Sequence, residues 1–331
     1  MQILLHVLYL IVGFVFLIKG ADYFVVSSSS IARKFNVSPF IIGLTLVAFG
    51  TSLPELAVSF AASLSAKAQG TTADIAMGNI IGSNIANLTL ILGCSAIMMP
   101  IAVKKTMMRR EFPYLIVITI LISVLAFFFQ SDAQIVWWEA IILLLFFAYY
   151  MYMMFKSHQD ADEVEKIPMV NPKKAVILLI VGLAGVSLGG FLVTAGAEYI
   201  AIELLVSAFS MTLTRATTLV GLSVVALGTS LPELVTSVVA AKKGENEIAL
   251  GNVIGSNVFN TVFIVGISGV VTSLGINGDV LIDTVILIAI TLITVWFAFT
   301  GYKISKKEGY GLLFIYIAYI IYIILRALNL F

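Results

Sequence analysis

Apolar runs too long for any ordinary soluble helix decide most of what this chain can be. Broken at its charged and turn-rich segments, the sequence leaves continuous stretches rich in Leu, Ile, Val and Ala. They fall at about 3–30, 39–66, 73–100, 112–130, 135–155, 175–207, 217–241, 247–273, 280–300 and 309–328. Runs of about 18 or more apolar residues read as membrane-spanning helices, so we expect an all-α integral membrane protein with ten transmembrane helices. A membrane barrel would need short segments of strict alternation instead. Composition agrees, with 60% hydrophobic and 11% charged residues, against roughly 25% charged in a soluble domain. The first run starts at Ile3 with no basic residue before it and continues past Lys19, which fits a span better than a cleaved leader.

The few charges then act as topology signals. Fifteen of the nineteen Lys and Arg residues, from Arg33 and Lys34 through Lys303, Lys306 and Lys307, fall in alternate loops. By the positive-inside bias those loops are cytoplasmic and both termini lie outside. A net charge of +1 argues against a nucleic-acid partner, and the single cysteine, Cys94, excludes a disulfide framework or a multi-cysteine zinc site. Lys19 and Asp22 stand three apart and should pair on one helix. Glu139, Glu198 and Glu203 lie near span ends, where solvation is the simple account.

The chain also contains itself twice. Gly-Thr-Ser-Leu-Pro-Glu-Leu occurs at Gly50–Leu56 and again at Gly228–Leu234, an offset of 178. Gly78–Asn87 reads GNIIGSNIAN and Gly251–Asn260 reads GNVIGSNVFN, an offset of 173. Gly20-Ala21-Asp22 is echoed by Gly196-Ala197-Glu198, which extends the duplication to the first and sixth spans. The expected organisation is a five-span repeat over 1–155, a cytoplasmic linker over 156–174 and a second five-span repeat over 175–331. The core motifs fall at 43–66 and 73–93, then at 221–241 and 247–266. Five is odd, so the copies enter the membrane from opposite sides. Such inverted repeats place a substrate site near the midplane, between interrupted helices.

Two carboxylates fall where that site would be. Glu55 and Glu233 lie near the middle of the second and seventh spans, where an acidic residue costs about 2.5–3.5 kcal/mol on insertion scales. Apart from Lys19, and Arg326 near the C-terminus, no basic residue in the other spans is available to neutralise them, so the counter-charges are cations that come and go, or protons. Pro54 and Pro232 directly precede them, and each removes a backbone donor. With the adjacent glycines, this should open the helices around Ala48–Thr51 and Ala226–Thr229. Freed carbonyls, the hydroxyls of Thr51, Ser52, Thr229 and Ser230, and the carboxylates make a hard-oxygen set suited to calcium and sodium. The second motif adds Asn79, Ser83, Asn84 and Asn87, then Asn252, Ser256, Asn257 and Asn260. Gly78 with Gly82, and Gly251 with Gly255, are small-residue patches that should bring the two motifs of each half together. No HExxH zinc motif or GxSxG nucleophile turn points to an intramembrane enzyme, and no cofactor is implied.

Paired GTSLPE and GSNxxN blocks in two five-span halves resemble the sodium/calcium exchangers of the cation/calcium exchanger superfamily, in particular the short prokaryotic members without a large regulatory domain. The likeness covers essentially the whole chain. It implies a multi-pass protein of the prokaryotic plasma membrane that exchanges sodium for calcium by alternating access. Its partners are the bilayer and the two ions. Glu55 and Glu233, with the carbonyls of Thr51 and Thr229, would hold calcium. Flanking sodium sites would use the Ala48 carbonyl, Ser52 and Ser83, and in the other repeat the Ala226 carbonyl, Ser230 and Ser256. Asn87 and Asn260 would line the centre. The long first and sixth helices would slide across this core, and three sodium ions per calcium would make the cycle electrogenic. Several relatives, including the potassium-dependent exchangers, carry Asp where this chain has Asn260, which argues against potassium co-transport. A proton/calcium antiporter is the alternative, and a cation channel stands behind it.

Overall fold

The computed structural model describes residues 2–35, 37–128, 133–156, 171–207, 211–220 and 226–328. In chain order the helices are α1 (Gln2–Lys34), α2 (Pro39–Thr51), α3 (Leu53–Gln69), α4 (Asp74–Met98), α5 (Lys105–Phe128) and α6 (Trp137–Lys156). They continue as α7 (Pro172–Ser207), α8 (Leu213–Val220), α9 (Ala226–Thr229), α10 (Leu231–Lys242), α11 (Asn246–Val271), α12 (Gly278–Phe299) and α13 (Lys306–Ala327). Among the described residues eight of these are long and apolar enough to cross a membrane, and α2 with α3 passes the same test as a pair bent by 46°. The corresponding path in the second half runs through α8, α9 and α10 and includes residues 221–225, which lie outside the described residues. Most of the expected 156–174 linker lies outside them as well.

Burial separates two core helices from the outer ones, of which α1 and α7 pack on each other as a covering pair. The apolar windows of α4 and α11 are 78% and 83% buried, against 17% for α1 and 28% for α7. Exposed apolar side chains such as Leu4 and Phe191 on the covering pair and Phe314 on α13 present a surface suited to lipid. Two short antiparallel strand pairs tie the halves at their loops. β1 (Ile101–Ala102) pairs with β4 (Lys303–Ile304), and β2 (Gln134–Ile135) pairs with β3 (Leu274–Gly275).

α1 and α7 pack antiparallel along a glycine seam. A Cβ at Gly20 would sit 2.6 Å from the Val186 nitrogen, one at Gly182 2.6 Å from the Phe24 nitrogen, and one at Gly189 2.5 Å from the Leu17 nitrogen. Gly13, Gly20, Gly182, Gly189 and Gly196 recur every seven residues on their helices, a spacing that keeps a contact stripe on one face. Gly251 and Gly255 also make close contacts, but their partners are the Phe40 and Leu44 carbonyls of α2, in the other half of the chain. At these two glycines the close approach is between halves, while the two motif helices of each half also pack on one another, joined by Asn79–Ser59 and Asn252–Ser237. At Gly78 and Gly82 no described atom lies within 4 Å of the point where a Cβ would stand.

Glu198 and Glu203 are exposed, as expected of span ends, while Asp22 and Glu139 depart from their simplest readings. Asp22 does not pair with Lys19, because its Oδ1 lies 2.7 Å from Lys243 Nζ. Glu139 is fully buried, and its Oε2 accepts the Val136 N–H at 2.8 Å, capping the start of α6. Arg33 of α1 reaches Glu245 at 3.3 Å, and the same carboxylate oxygen accepts from Ser29 at 2.6 Å. Both partners of this second pair are more than nine-tenths buried, at 8% and 9% side-chain exposure, whereas Asp22 and Lys243 are 44% and 34% exposed. Glu245→Ala should therefore cost about 3 kcal/mol by removing a carboxylate partner from a buried guanidinium. Lys243→Ala should cost under about 1 kcal/mol. Thermal unfolding in detergent distinguishes the two, and equal shifts would refute the contrast.

Candidate cation site

The site begins with two helix breaks. Pro54 and Pro232 sit in the first turns of α3 and α10, where a missing N–H is tolerated. The preceding helices end at Ser52 (φ −83°, ψ 8°) and Ser230 (φ −88°, ψ 3°). Helical bonding resumes at once, since Leu56 N–H donates to the Ser52 carbonyl at 3.1 Å and Leu234 N–H to the Ser230 carbonyl at 3.0 Å. The break is thus a hitch at a single serine, narrower than the opening expected over Ala48–Thr51 and Ala226–Thr229. The Ala48 carbonyl accepts from Ser52 N–H at 3.0 Å and stands 3.3 Å from Thr51 Oγ1. Glu55 and Glu233 stand in the first turns after the breaks, so the positive ends of α3 and α10 offset part of the cost of burying their charge.

The serines cross between halves. Ser52 Oγ donates to Glu233 Oε1 at 3.0 Å, and Ser230 Oγ donates to Glu55 Oε1 at 3.2 Å. Ser83 Oγ of α4 joins Glu55 Oε1 at 3.4 Å and is 3.2 Å from Ser230 Oγ. Two more interactions bridge the halves: Thr51 Oγ1 donates to Asn252 Oδ1 at 3.1 Å, and Asn84 Nδ2 donates to Thr261 Oγ1 at 2.8 Å. Glu55, Glu233, Ser52, Ser230, Ser83 and Thr51 are all at most 2% exposed, while Thr229 is 8% exposed. Ala48 is also fully buried; of Ala226 the backbone alone is described, within α9.

The remaining valences of this centre face no protein donor. Glu55 Oε2, Glu233 Oε2, Asn87 Oδ1, Asn260 Oδ1 and Ser256 Oγ are buried without a hydrogen-bond partner. Asn260 Nδ2 is buried without a partner as well; buried polar atoms are normally satisfied, so the free oxygen on each carboxylate marks unused acceptor capacity at this centre. No ion pair among the described residues includes Glu55 or Glu233. Nor do three or more His, Cys, Asp or Glu residues cluster among them.

Of the remaining motif residues, Asn87 lies one turn beyond Ser83 and Asn260 one turn beyond Ser256. Widened π-helical turns begin at these places, over Asn87–Ile91 and Phe259–Ile264, and a third precedes Ala48 at Gly43–Val47. Such turns re-aim side chains and recur at functional sites. Nothing in the hydrophobic periodicity signals them. Asn79 and Asn252 instead brace their own halves, donating to Ser59 Oγ at 3.1 Å and Ser237 Oγ at 2.8 Å. Ser59 and Ser237 escaped the motif reading, although the offset of 178 relates them. Asn257 donates to its own helix at the Val253 carbonyl.

The fold and this centre are those of an integral membrane protein built around a buried acidic pair. The family model described as "Sodium/calcium exchanger protein" matches residues 5–156 and 174–325. The chain is 35% identical to sodium/calcium exchanger MaX1 of Methanosarcina acetivorans, over 97% of this chain and 99% of that protein. It is 34% identical to the inner membrane protein YrbG of Escherichia coli, over 91% of this chain and 90% of that one. Among solved structures, the sodium-calcium exchanger NCX_Mj soaked with 2.5 mM Na+ and 10 mM Sr2+ matches with a TM-score of 0.79 at 34% identity, covering 96% of this chain and 98% of that chain. The chain belongs to the sodium/calcium exchanger family, whose members are secondary transporters and not enzymes.

Proposed function

We propose that this protein moves calcium against sodium by alternating access through the Glu55–Glu233 centre. The observation that carries this reading is the crossed pair of serine–carboxylate hydrogen bonds, with a free carboxylate oxygen on each glutamate. Two ionised carboxylates balance one calcium ion, so loading it leaves no net charge in a low-dielectric centre. The calcium ligands are Glu55, Glu233 and the Thr51 and Thr229 carbonyls. Sodium takes Ser52, Ser83 and the Ala48 carbonyl on one side, and Ser230, Ser256 and the Ala226 carbonyl on the other. Asn87 and Asn260 line the centre.

The architecture belonging to this reading is ten spans in two inverted repeats, 1–155 and 175–331, joined by a cytoplasmic linker, with both termini outside. It is supported by the two stretches that the family model matches. The strand pairs also support it, because each joins loops assigned to the same side of the membrane.

The test is calcium uptake into proteoliposomes loaded with sodium. Outward sodium should drive uptake. With three sodium ions per calcium, one positive charge leaves per cycle, so an inside-positive potential should accelerate uptake, with about 2.3 kcal/mol available per 100 mV. Uptake that follows a proton gradient and ignores sodium would replace this reading with proton/calcium exchange, and flux without any counter-ion would make the protein a channel.

A further inference from the structure

A cavity of about 380 Å³ lies between α3, α7 and the α9–α10 break, lined in part by Pro54, Val58, Thr194, Glu198, Thr229 and Pro232. Pro54 and Pro232 immediately precede Glu55 and Glu233, so the inner wall of this cavity adjoins the acidic centre. Among the described residues lining it, Glu198 is the only one that carries a charge. It is exposed, and it takes part in no ion pair among the described residues.

Glu198 has a repeat-related counterpart, because Gly196-Ala197-Glu198 echoes Gly20-Ala21-Asp22. The two carboxylates occupy opposite ends of the covering pair. Gly13 faces Gly189 and Val193, and Gly20 faces Gly182 and Val186, so the helices run antiparallel and Asp22 sits far from the level of Glu198. Their surroundings differ in the one respect that matters for cations. Asp22 is covered by Lys243 at 2.7 Å, and Glu198 looks into an open cavity.

We propose that Glu198 is a cation-capture residue at the entrance to the acidic centre, and that Asp22 is its counterpart on the opposite face, neutralised by Lys243 in this conformation. The inference rests on the exchange reading and adds the side from which ions are gathered here. A carboxylate in a cleft with apolar walls raises the local concentration of cations and the rate at which they arrive. It does not coordinate the ion during translocation. The effect therefore belongs in the calcium KM on one face, and it weakens with ionic strength as the Debye length falls from about 30 Å at 0.01 M to about 3 Å at 1 M salt.

The experiment compares wild type, Glu198→Gln and Glu198→Asp in right-side-out and inside-out membrane vesicles, at about 10 mM and about 500 mM choline chloride. Glu198→Gln should raise the calcium KM about three- to tenfold at low salt with kcat unchanged. The rise should appear in right-side-out vesicles only and shrink to under about twofold at high salt, and Glu198→Asp should restore the wild-type KM. An unchanged KM at low salt, an equal change in both orientations, or a fall in kcat alone would overturn the proposal. Absence of sodium-driven flux in the wild type would overturn the exchange reading instead. The calcium association rate of purified protein at low salt then tests Glu198 directly, with a slower rate in Glu198→Gln expected and an unchanged rate overturning the assignment.

Discussion

Glu55→Gln and Glu233→Gln should each abolish sodium-driven calcium uptake while leaving membrane insertion and the folded state intact. Glutamine keeps the shape and can still accept the crossed serine hydrogen bond. What it removes is one of the two charges that balance a calcium ion. A buried charge left without its counter-charge costs about 3 kcal/mol or more, and every 1.4 kcal/mol is about tenfold in affinity, so calcium affinity should fall at least about a hundredfold. Insertion should improve slightly, because a neutral residue is cheaper in the bilayer than a carboxylate. Uptake assays paired with size-exclusion profiles in detergent check both halves of the statement. Retained sodium-driven flux in both variants would remove the site assignment, and loss of the monodisperse peak would make the effect structural.

Gly189→Leu is expected to destabilise the whole molecule without touching the site. A Cβ at Gly189 would stand 2.5 Å from the Leu17 nitrogen and 2.7 Å from the Gly13 carbonyl. Both are backbone atoms that cannot rotate aside. Overpacking a dense contact costs about 1–3 kcal/mol when side chains can adjust, so about 3 kcal/mol is expected here, with more if α1 and α7 separate. Gly278→Leu is the control, because nothing lies within 4 Å of that position. Thermal unfolding of both variants in detergent decides the matter, and a Gly189→Leu midpoint as high as that of Gly278→Leu would show that the seam yields.

Much of the centre was legible before any coordinates. Glu55 and Glu233 stood out because charge is scarce in apolar runs, and the duplication of their flanks separated them from an isolated polar residue. The long helices were equally plain, with boundaries moved outward by a turn or more where charged residues extend into the helix, as at Arg109, Arg110 and Glu111 of α5. Such long side chains reach out from the helix end, so a reading that stops at the first charge ends too early. The glycine seam is present in the sequence as a seven-residue spacing, but only its Gly20 and Gly196 members fall in a repeated motif.

Local sequence by itself determined the long apolar helices, the duplicated motifs and the scarcity of charge that marks the acidic pair, because hydropathy and proline chemistry act within a few residues. Only the tertiary structure decided who bonds to whom. Ser52 lies three residues from Glu55 yet bonds to Glu233, and Ser230 lies three residues from Glu233 yet bonds to Glu55. The exchange arises because α11 is drawn against α2 of the other half by Gly251 and Gly255. A hydrogen bond depends on distance in space, and separations of 181 and 175 residues are closed by packing that no local pattern encodes.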